Sequence, residues 1–318
     1  MCSLRAAVVM VSWCACSASL ATGSQAYPAK PIRLVTAEVG GGADLVARLL
    51  ARALSPALGQ QIITDNRPAR LVGEIVAHAS ADGYTLLLGA STFLNAPLLG
   101  EVRYDVLRDF VPISMVGRTP NVLVVHPSLP VKSVEELIAL AKSQPGVLNF
   151  AAAAPGSSIY LAGELFKQMA GVDIVRVNYK GTGPAINDVI AGQVQMVFGT
   201  APAVAPHVKS GRLKALGVTS AMASALAPGL PTVAESGLPG YESGGIYLTM
   251  APAKTPAPII HRLNAEIRRV LDQRDVKERF LAAGIESGAS SPQELAATLK
   301  AENAKWSKVI REAGIRAK

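Results

Sequence analysis

The chain has 318 residues, 50% of them hydrophobic and 17% charged, with a formal net charge of +8. That length and apolar content suit one large domain or two medium ones with buried cores, and nothing in the chain has the composition of a disordered tail. The basic residues stand singly or in pairs such as Arg268–Arg269, with no basic run and no basic–aromatic stripe, so no nucleic-acid partner is expected.

Residues 1–26 read as a separate object. Arg5 is their only charge, an apolar run extends from Ala6 to Ala21, and Ser24 and Ala26 occupy the small-residue positions of a cleavage site. This is the pattern of a secretory signal peptide cut after Ala26, leaving Tyr27 as the first mature residue. The run is shorter than the roughly 20 residues a membrane span needs. A membrane anchor, or a lipoprotein acylated at Cys14 or Cys16, are the alternatives. Cys2, Cys14 and Cys16 all lie in this segment. A mature chain would therefore hold no disulfide, thiolate metal site or cysteine nucleophile.

From Tyr27 onward, strand-like and helical stretches alternate. "IRLVT" (32–36) is a strand. Residues 43–59 form a helix with Leu45, Val46, Leu49, Leu50, Ala53 and Leu54 on one side and Arg48 and Arg52 on the other. A strand at 61–66, a short helix at 73–80 and a buried strand at 84–91 follow. "NVLVVH" (121–126) is the next strand. Ser133 and Glu136 form a capping box that opens the helix closed by Pro145–Gly146. Strands at 147–153, 173–179, 193–200 and 213–220 are separated by helical segments after "PGSS", "KGTGP" and Thr200. Two helices end the chain, at 256–273 and after the Ser291–Glu294 capping box. The alternation predicts parallel sheets covered by helices, an α/β fold.

Ligands of such sheets sit beyond the carboxyl ends of the strands. Four loops there are rich in Gly, Ser or Thr: "EVGGGAD" (38–44), "GASTF" (89–93), "AAPGSSI" (153–159) and "YKGTGPA" (179–185). Loops that open helices expose free backbone N–H donors at a partial positive charge. Several of them converging on one cleft would hold an anion without an arginine.

A catalytic set is harder to find. "GGGADL" is neither G-x-G-x-x-G nor a P-loop, and no serine stands in G-x-S-x-G. His78, His126, His207 and His261 are far apart. Glu38 and Asp44 could pair as acid and base, although Asp44 at a helix start is more simply a cap. No metal site and no cofactor are expected.

These stretches, with "YPAKPIRLV", "GGGADLVARLLARAL", "LGQQIITDNRP", "ADGYTLLLG", "YDVLRDFVPIS", "LAGELFKQMAGVDIVRVNYKGTGPAINDVIAGQVQMVF" and "LPTVAESGLPGYES", resemble the Bug family, the periplasmic substrate-binding proteins of tripartite tricarboxylate transporters. The resemblance covers nearly the whole mature chain. It implies a type-2 periplasmic binding protein, two α/β lobes joined by two crossing hinge strands with the ligand cleft between them. Lobe one would comprise 27–124 and 219–318, and lobe two 125–218, with hinge strands near Val122–Val125 and Leu216–Thr219. The positions matching the family's binding loops are Val39, Gly40, Gly41, Gly42, Ser91, Thr92, Pro155, Gly156, Ser157, Ser158, Lys180, Gly181, Thr182, Gly183, Thr200 and Ala201. A small organic acid or related polar metabolite would be the ligand and integral-membrane permease subunits the partners of a monomeric receptor.

The chain also departs from the family pattern. Its first loop, "TAEVGGG", lacks the prolines of the family's P-F-x-P-G-G and carries Glu38, and "ARLVGE" replaces a glycine-rich continuation after "NRP". Glu38 is expected to face the cleft and to favour a monocarboxylate bearing a donor group. The rival readings are a two-lobed enzyme using Glu38 and Asp44, and a receptor that presents its ligand to a signalling partner.

Overall fold

The computed structural model describes residues 27–100, 102–153 and 155–315. The leader, its cleavage after Ala26 and the acylation alternatives fall outside the described residues.

The chain begins with β1 (Ile32–Thr36), α1 (Gly42–Leu58), β2 (Ile62–Asn66), α2 (Ala69–Ala77), β3 (Thr85–Ala90) and α3 (Ser91–Leu99). In α1, Val46, Leu50, Leu54 and Leu58 are buried along one face, while Arg48, Arg52 and also Leu45 stay exposed. Gly59 at φ 67° ends the helix in the left-handed region that favours glycine. β2, β1 and β3 are parallel neighbours, and each crossover helix covers the sheet.

The next strand, β4 (Phe110–Val125), links the two halves of the molecule. As far as Pro120 it runs antiparallel to β9 (Gly244–Pro252), which also pairs antiparallel with β3. From Asn121 to Val125 it pairs with β7 (Met196–Thr200) and β8 (Lys214–Val218). The second sheet continues from β7 through β5 (Asn149–Ala152) to β6 (Val175–Asn178), its edge. Helices α4 (Val134–Ser143), α5 (Ser158–Ala170), α6 (Thr182–Ile190) and α7 (Ala201–Lys209) cover it. The chain closes with α8 (Ala257–Leu271), α9 (Arg274–Ala282), the short β10 (Glu286–Ser287) and α10 (Pro292–Glu312). Among the described residues, no helix is long and apolar enough to cross a membrane.

Three chain segments meet where the sheets join, and Thr219 ties them together. Its N–H donates to the Asn121 carbonyl at 2.9 Å, and its carbonyl accepts the Ser243 N–H at 2.9 Å. Its buried hydroxyl accepts the Asn121 N–H at 2.9 Å and reaches the Ser243 carbonyl at 2.7 Å. The strand pairing therefore switches from one sheet to the other at Asn121, where Thr219 is bound.

The packing divides the chain differently from the expectation that 219–318 belongs wholly to lobe one. Val233, Leu238 and Tyr241 pack into the core of the second sheet, and the Tyr241 hydroxyl donates to the Ala162 carbonyl at 2.8 Å. α10 spans both halves. Leu295 and Leu299 join the first sheet's core, and Trp306, Val309 and Ile310 join the second's. The reason is burial. Each of these large apolar side chains contributes about 1.5–3 kcal/mol when removed from water, and the chain after β8 finds its apolar partners on α5 before it returns to the first sheet.

Candidate functional site

A cleft of ≈ 300 Å³ opens between the two sheets. Its wall comes from the carboxyl ends of β1, β3, β5 and β7: Ala37, Glu38, Gly41, Gly42 and Ala43; Ala90, Ser91 and Thr92; Ser157 and Ser158; and Thr200. Ala69 of α2, Thr119 of β4, and Gly245, Ile246 and Tyr247 of β9 complete it.

The helices α1, α2, α3, α5 and α7 begin at or next to these residues. No N-cap side chain bonds the opening turns of α1, α3 or α7. Their first N–H groups are therefore free to meet a guest. On α5, Ser157 caps with its own hydroxyl, which accepts the Tyr160 N–H at 3.3 Å. Among the described lining residues there is no Lys, Arg or His, and Glu38 is the sole carboxylate. The wall is made of hydroxyls, small side chains and helix N-termini.

The glycine loop after β1 is held by Asp44. This buried carboxylate accepts from the Gly40 N–H at 3.0 Å, Asn66 Nδ2 at 2.9 Å and Arg48 Nε at 2.8 Å. Asn66 Nδ2 also donates to the Ala37 carbonyl at 2.7 Å. Burial alone would raise the pKa of Asp44, but the hydrogen bonds from Gly40, Asn66 and Arg48 outweigh it and hold the carboxyl below its ordinary 3.8. A carboxylate so engaged anchors the glycine loop to α1 and β2. Gly40, at φ 85°, makes the turn that brings its N–H back to Asp44.

Gly42 is glycine for a different reason. A β-carbon there would lie 2.4 Å from the Tyr247 hydroxyl, which rests on the start of α1. Burial pushes the Tyr247 phenol pKa up, so it remains a neutral hydroxyl at the cleft wall.

Glu38 lines the cleft and is exposed. Its Oε1 accepts the Ala69 N–H at 2.7 Å. Ala69 opens α2, and Pro68 before it offers no capping side chain. Glu38 thus caps a helix that begins far along the chain. It pairs with no Arg or Lys among the described residues.

Of the residues expected in the site, Glu38, Gly41, Gly42, Ser91, Thr92, Ser157, Ser158 and Thr200 line this one cleft. Val39 is 72% exposed and stands outside the lining, as does Gly40. Ser91 also ties α3 to β9, because its hydroxyl accepts the Ile246 N–H at 3.1 Å. Gly156 supports the wall from behind, its carbonyl accepting from Asn95 Nδ2 at 2.9 Å, while Pro155 is exposed outside the lining. Ala201 is buried beneath the start of α7. Lys180, Gly181, Thr182 and Gly183 are not among the residues that line the cleft. They follow β6, the edge strand, one position farther out than β5. Ala69, Thr119, Gly245, Ile246 and Tyr247 line the cleft without having been singled out in the sequence. Gly244–Gly245 before an apolar run was the available signal for the last three.

A family model described as "Tripartite tricarboxylate transporter family receptor" matches residues 46–315. The chain belongs to that receptor family. BugT of Bordetella pertussis is 38% identical over 299 residues, covering 92% of each chain. Among solved structures, a protein described as from R. palustris, with adipate, is 36% identical with a TM-score of 0.77, covering 91% of this chain and 99% of its own. MatC from Rhodopseudomonas palustris, with bound malate, is 31% identical with a TM-score of 0.72, covering 89% and 100%.

As a member of the tripartite tricarboxylate receptors, the chain is a solute-binding protein with two α/β lobes. The free helix N-termini facing its cleft are the chemistry such a receptor needs for a carboxylated solute. No group of three or more His, Cys, Asp or Glu that could hold a metal occurs among the described residues.

Proposed function

We propose that this receptor captures a small organic acid in the periplasm and delivers it to integral-membrane permease subunits. It works as a monomer, exported by the leader cut after Ala26. The ligand lies between the sheets with a carboxylate on the uncapped N–H groups at the starts of α1, α3 and α7. The lobes close on it about the Asn121–Thr219 junction. A ligand that touches both lobes favours the closed state by its extra contacts there.

The observation that carries this reading is the convergence of several helix N-termini on one cleft whose described lining contains no Lys, Arg or His. Backbone dipoles can hold an anion firmly enough to retain it and weakly enough to release it. The relatives solved with adipate and with malate support the same ligand class. The engagement of Asp44 by Gly40, Asn66 and Arg48 speaks against acid–base chemistry in the cleft.

The test is a thermal-shift screen of small carboxylates against the mature protein, followed by mass spectrometry of the recovered ligand. Saturable stabilisation by at least one acid, returned chemically unchanged, is the expected result. An acid that is converted, or a full screen without stabilisation, would contradict the reading.

A further inference from the structure

Glu38 bears on which acids the cleft admits. A receptor for dicarboxylates must accommodate two negative groups. Here one of the helix N-termini at the cleft, that of α2, already has a carboxylate on it, supplied by the protein. Glu38 Oε1 accepts the Ala69 N–H at 2.7 Å, and both residues line the cleft. The remaining helix starts have no protein carboxylate facing the cleft, since Asp44 is turned back onto Gly40, Asn66 and Arg48.

Glu38 forms no ion pair among the described residues. Arg48 is paired with Asp44, and Arg67 with Asp65. Arg70 is exposed and outside the cleft lining. Tyr247 stays neutral. The described lining therefore carries one formal negative charge against the partial positive ends of the helices. One ligand carboxylate can settle on the uncapped α1, α3 or α7 starts. A second would face Glu38 in a cleft that loses water as it closes, with no fixed cation to separate the two.

We infer that Glu38 is a specificity-determining residue that makes this a receptor for acids with a single carboxylate, whose far end is a hydrogen-bond donor. The donor follows from Glu38 itself. Among the described residues only the Ala69 N–H donates to it, so its other oxygen is open to a hydroxyl, amide or ammonium of the ligand. This inference rests on the proposed function and narrows it.

The experiment compares wild type with Glu38→Gln by titration calorimetry. The ligands are succinate, glutarate and adipate, each set against the ω-hydroxy acid of the same chain length. The substitution removes the charge but keeps a carbonyl oxygen for the Ala69 N–H, so α2 retains its cap. Wild type is expected to bind at least one hydroxy acid about tenfold or more tighter than its matched dicarboxylate. Glu38→Gln should shrink that ratio by about tenfold, mainly through a gain for the dicarboxylate, the size expected from removing a like charge near a poorly hydrated carboxylate. A wild type that prefers the dicarboxylates, or a ratio that Glu38→Gln leaves unmoved, would overturn the inference while leaving a carboxylate receptor intact. Failure of every acid to bind either folded protein would overturn the carboxylate reading as well.

Discussion

Asn95 Nδ2 donates to the carbonyl of Gly156 at 2.9 Å. The bond joins α3, which packs on the first sheet, to the loop that carries Ser157 and Ser158 from the second. Asn95 is 1% exposed, and a β-carbon on Gly156 would lie 3.0 Å from Leu99 of the same helix. The α5 start is thus set against the first lobe by one buried amide and one close backbone approach.

Removing that amide should loosen the loop. Asn95→Leu deprives the Gly156 carbonyl of its donor, at a cost of about 1–3 kcal/mol for a buried group left unpaired. Part of the loss should appear as weaker ligand binding, because Ser157 and Ser158 would no longer be held in place. Chemical denaturation and calorimetric titration of the same variant measure the two parts. Unchanged values in both would mean the bond has no positioning role.

The contact between Gly42 and Tyr247 makes a second prediction. The atom a β-carbon would meet is the tip of a side chain, so Tyr247 can swing away. Gly42→Ala should therefore cost about 1–2 kcal/mol of stability, in the range for local overpacking, and should displace the tyrosine hydroxyl from the cleft wall. Tyr247→Phe removes the clashing oxygen. The double variant should recover stability relative to the sum of the single changes, with a coupling of about 1 kcal/mol. Strict additivity in a double-mutant cycle would show that the two residues do not meet as described.

Asp44 predicts an acid limb of stability. Its folded pKa lies below the ordinary 3.8 because Gly40, Asn66 and Arg48 donate to the ionised form. The contribution is complete above the unfolded pKa and is lost as pH falls through the lower folded value. Asp44→Asn should destabilise the protein by about 2 kcal/mol at neutral pH, a figure kept modest because Arg48 is half exposed. The difference between the two proteins should shrink as pH drops below about 4. Denaturation curves across that range test it, and a difference that stays constant or grows on acidification would contradict the assignment.

Much of the fold was legible in the sequence because it is locally encoded. Ser291 and Glu294 form the expected capping box, while Ser133 caps the Glu136 N–H and the Glu136 carboxylate accepts from the Lys132 N–H instead of closing the box. β1 and α1 follow from alternating apolar residues, the helical repeat and a terminal glycine. The first part of β4 and all of β9 were not legible. Pro112, Gly117 and Pro120 interrupt the pattern of β4, and its register shifts at two places. A strand that pairs Pro120 with Gly244 is specified by a partner far along the chain, not by its own residues.

The site shows the same division. Ser157, Thr200 and Gly181 stand in loops of similar chemistry, yet only the first two line the cleft. What separates them is sheet order, with β6 at the edge. Lys180 to Gly183 share that local chemistry, while the sheet order that sets their place is not written in the loop itself. Tyr247 and Thr119 carry no such local sign. They sit on antiparallel strands, outside the strand-to-helix loops. Glu38 drew attention by its sequence alone, but its partner, Ala69, appears only when α2 is brought beside the first loop.

The central claim is that an acid binds between the sheets with its carboxylate on helix N-termini. A crystal structure with the tightest-binding acid from the thermal-shift screen tests it most directly. The account predicts the ligand in the cleft lined by Gly42, Ser91, Ser158 and Thr200, touching both lobes. Its carboxylate should lie within about 3 Å of backbone N–H groups at the helix starts, and its far end should be near Glu38. A ligand found instead in the surface hollow lined by Arg268, Arg269 and Lys277, or held in the cleft through a Lys or Arg side chain, would contradict it.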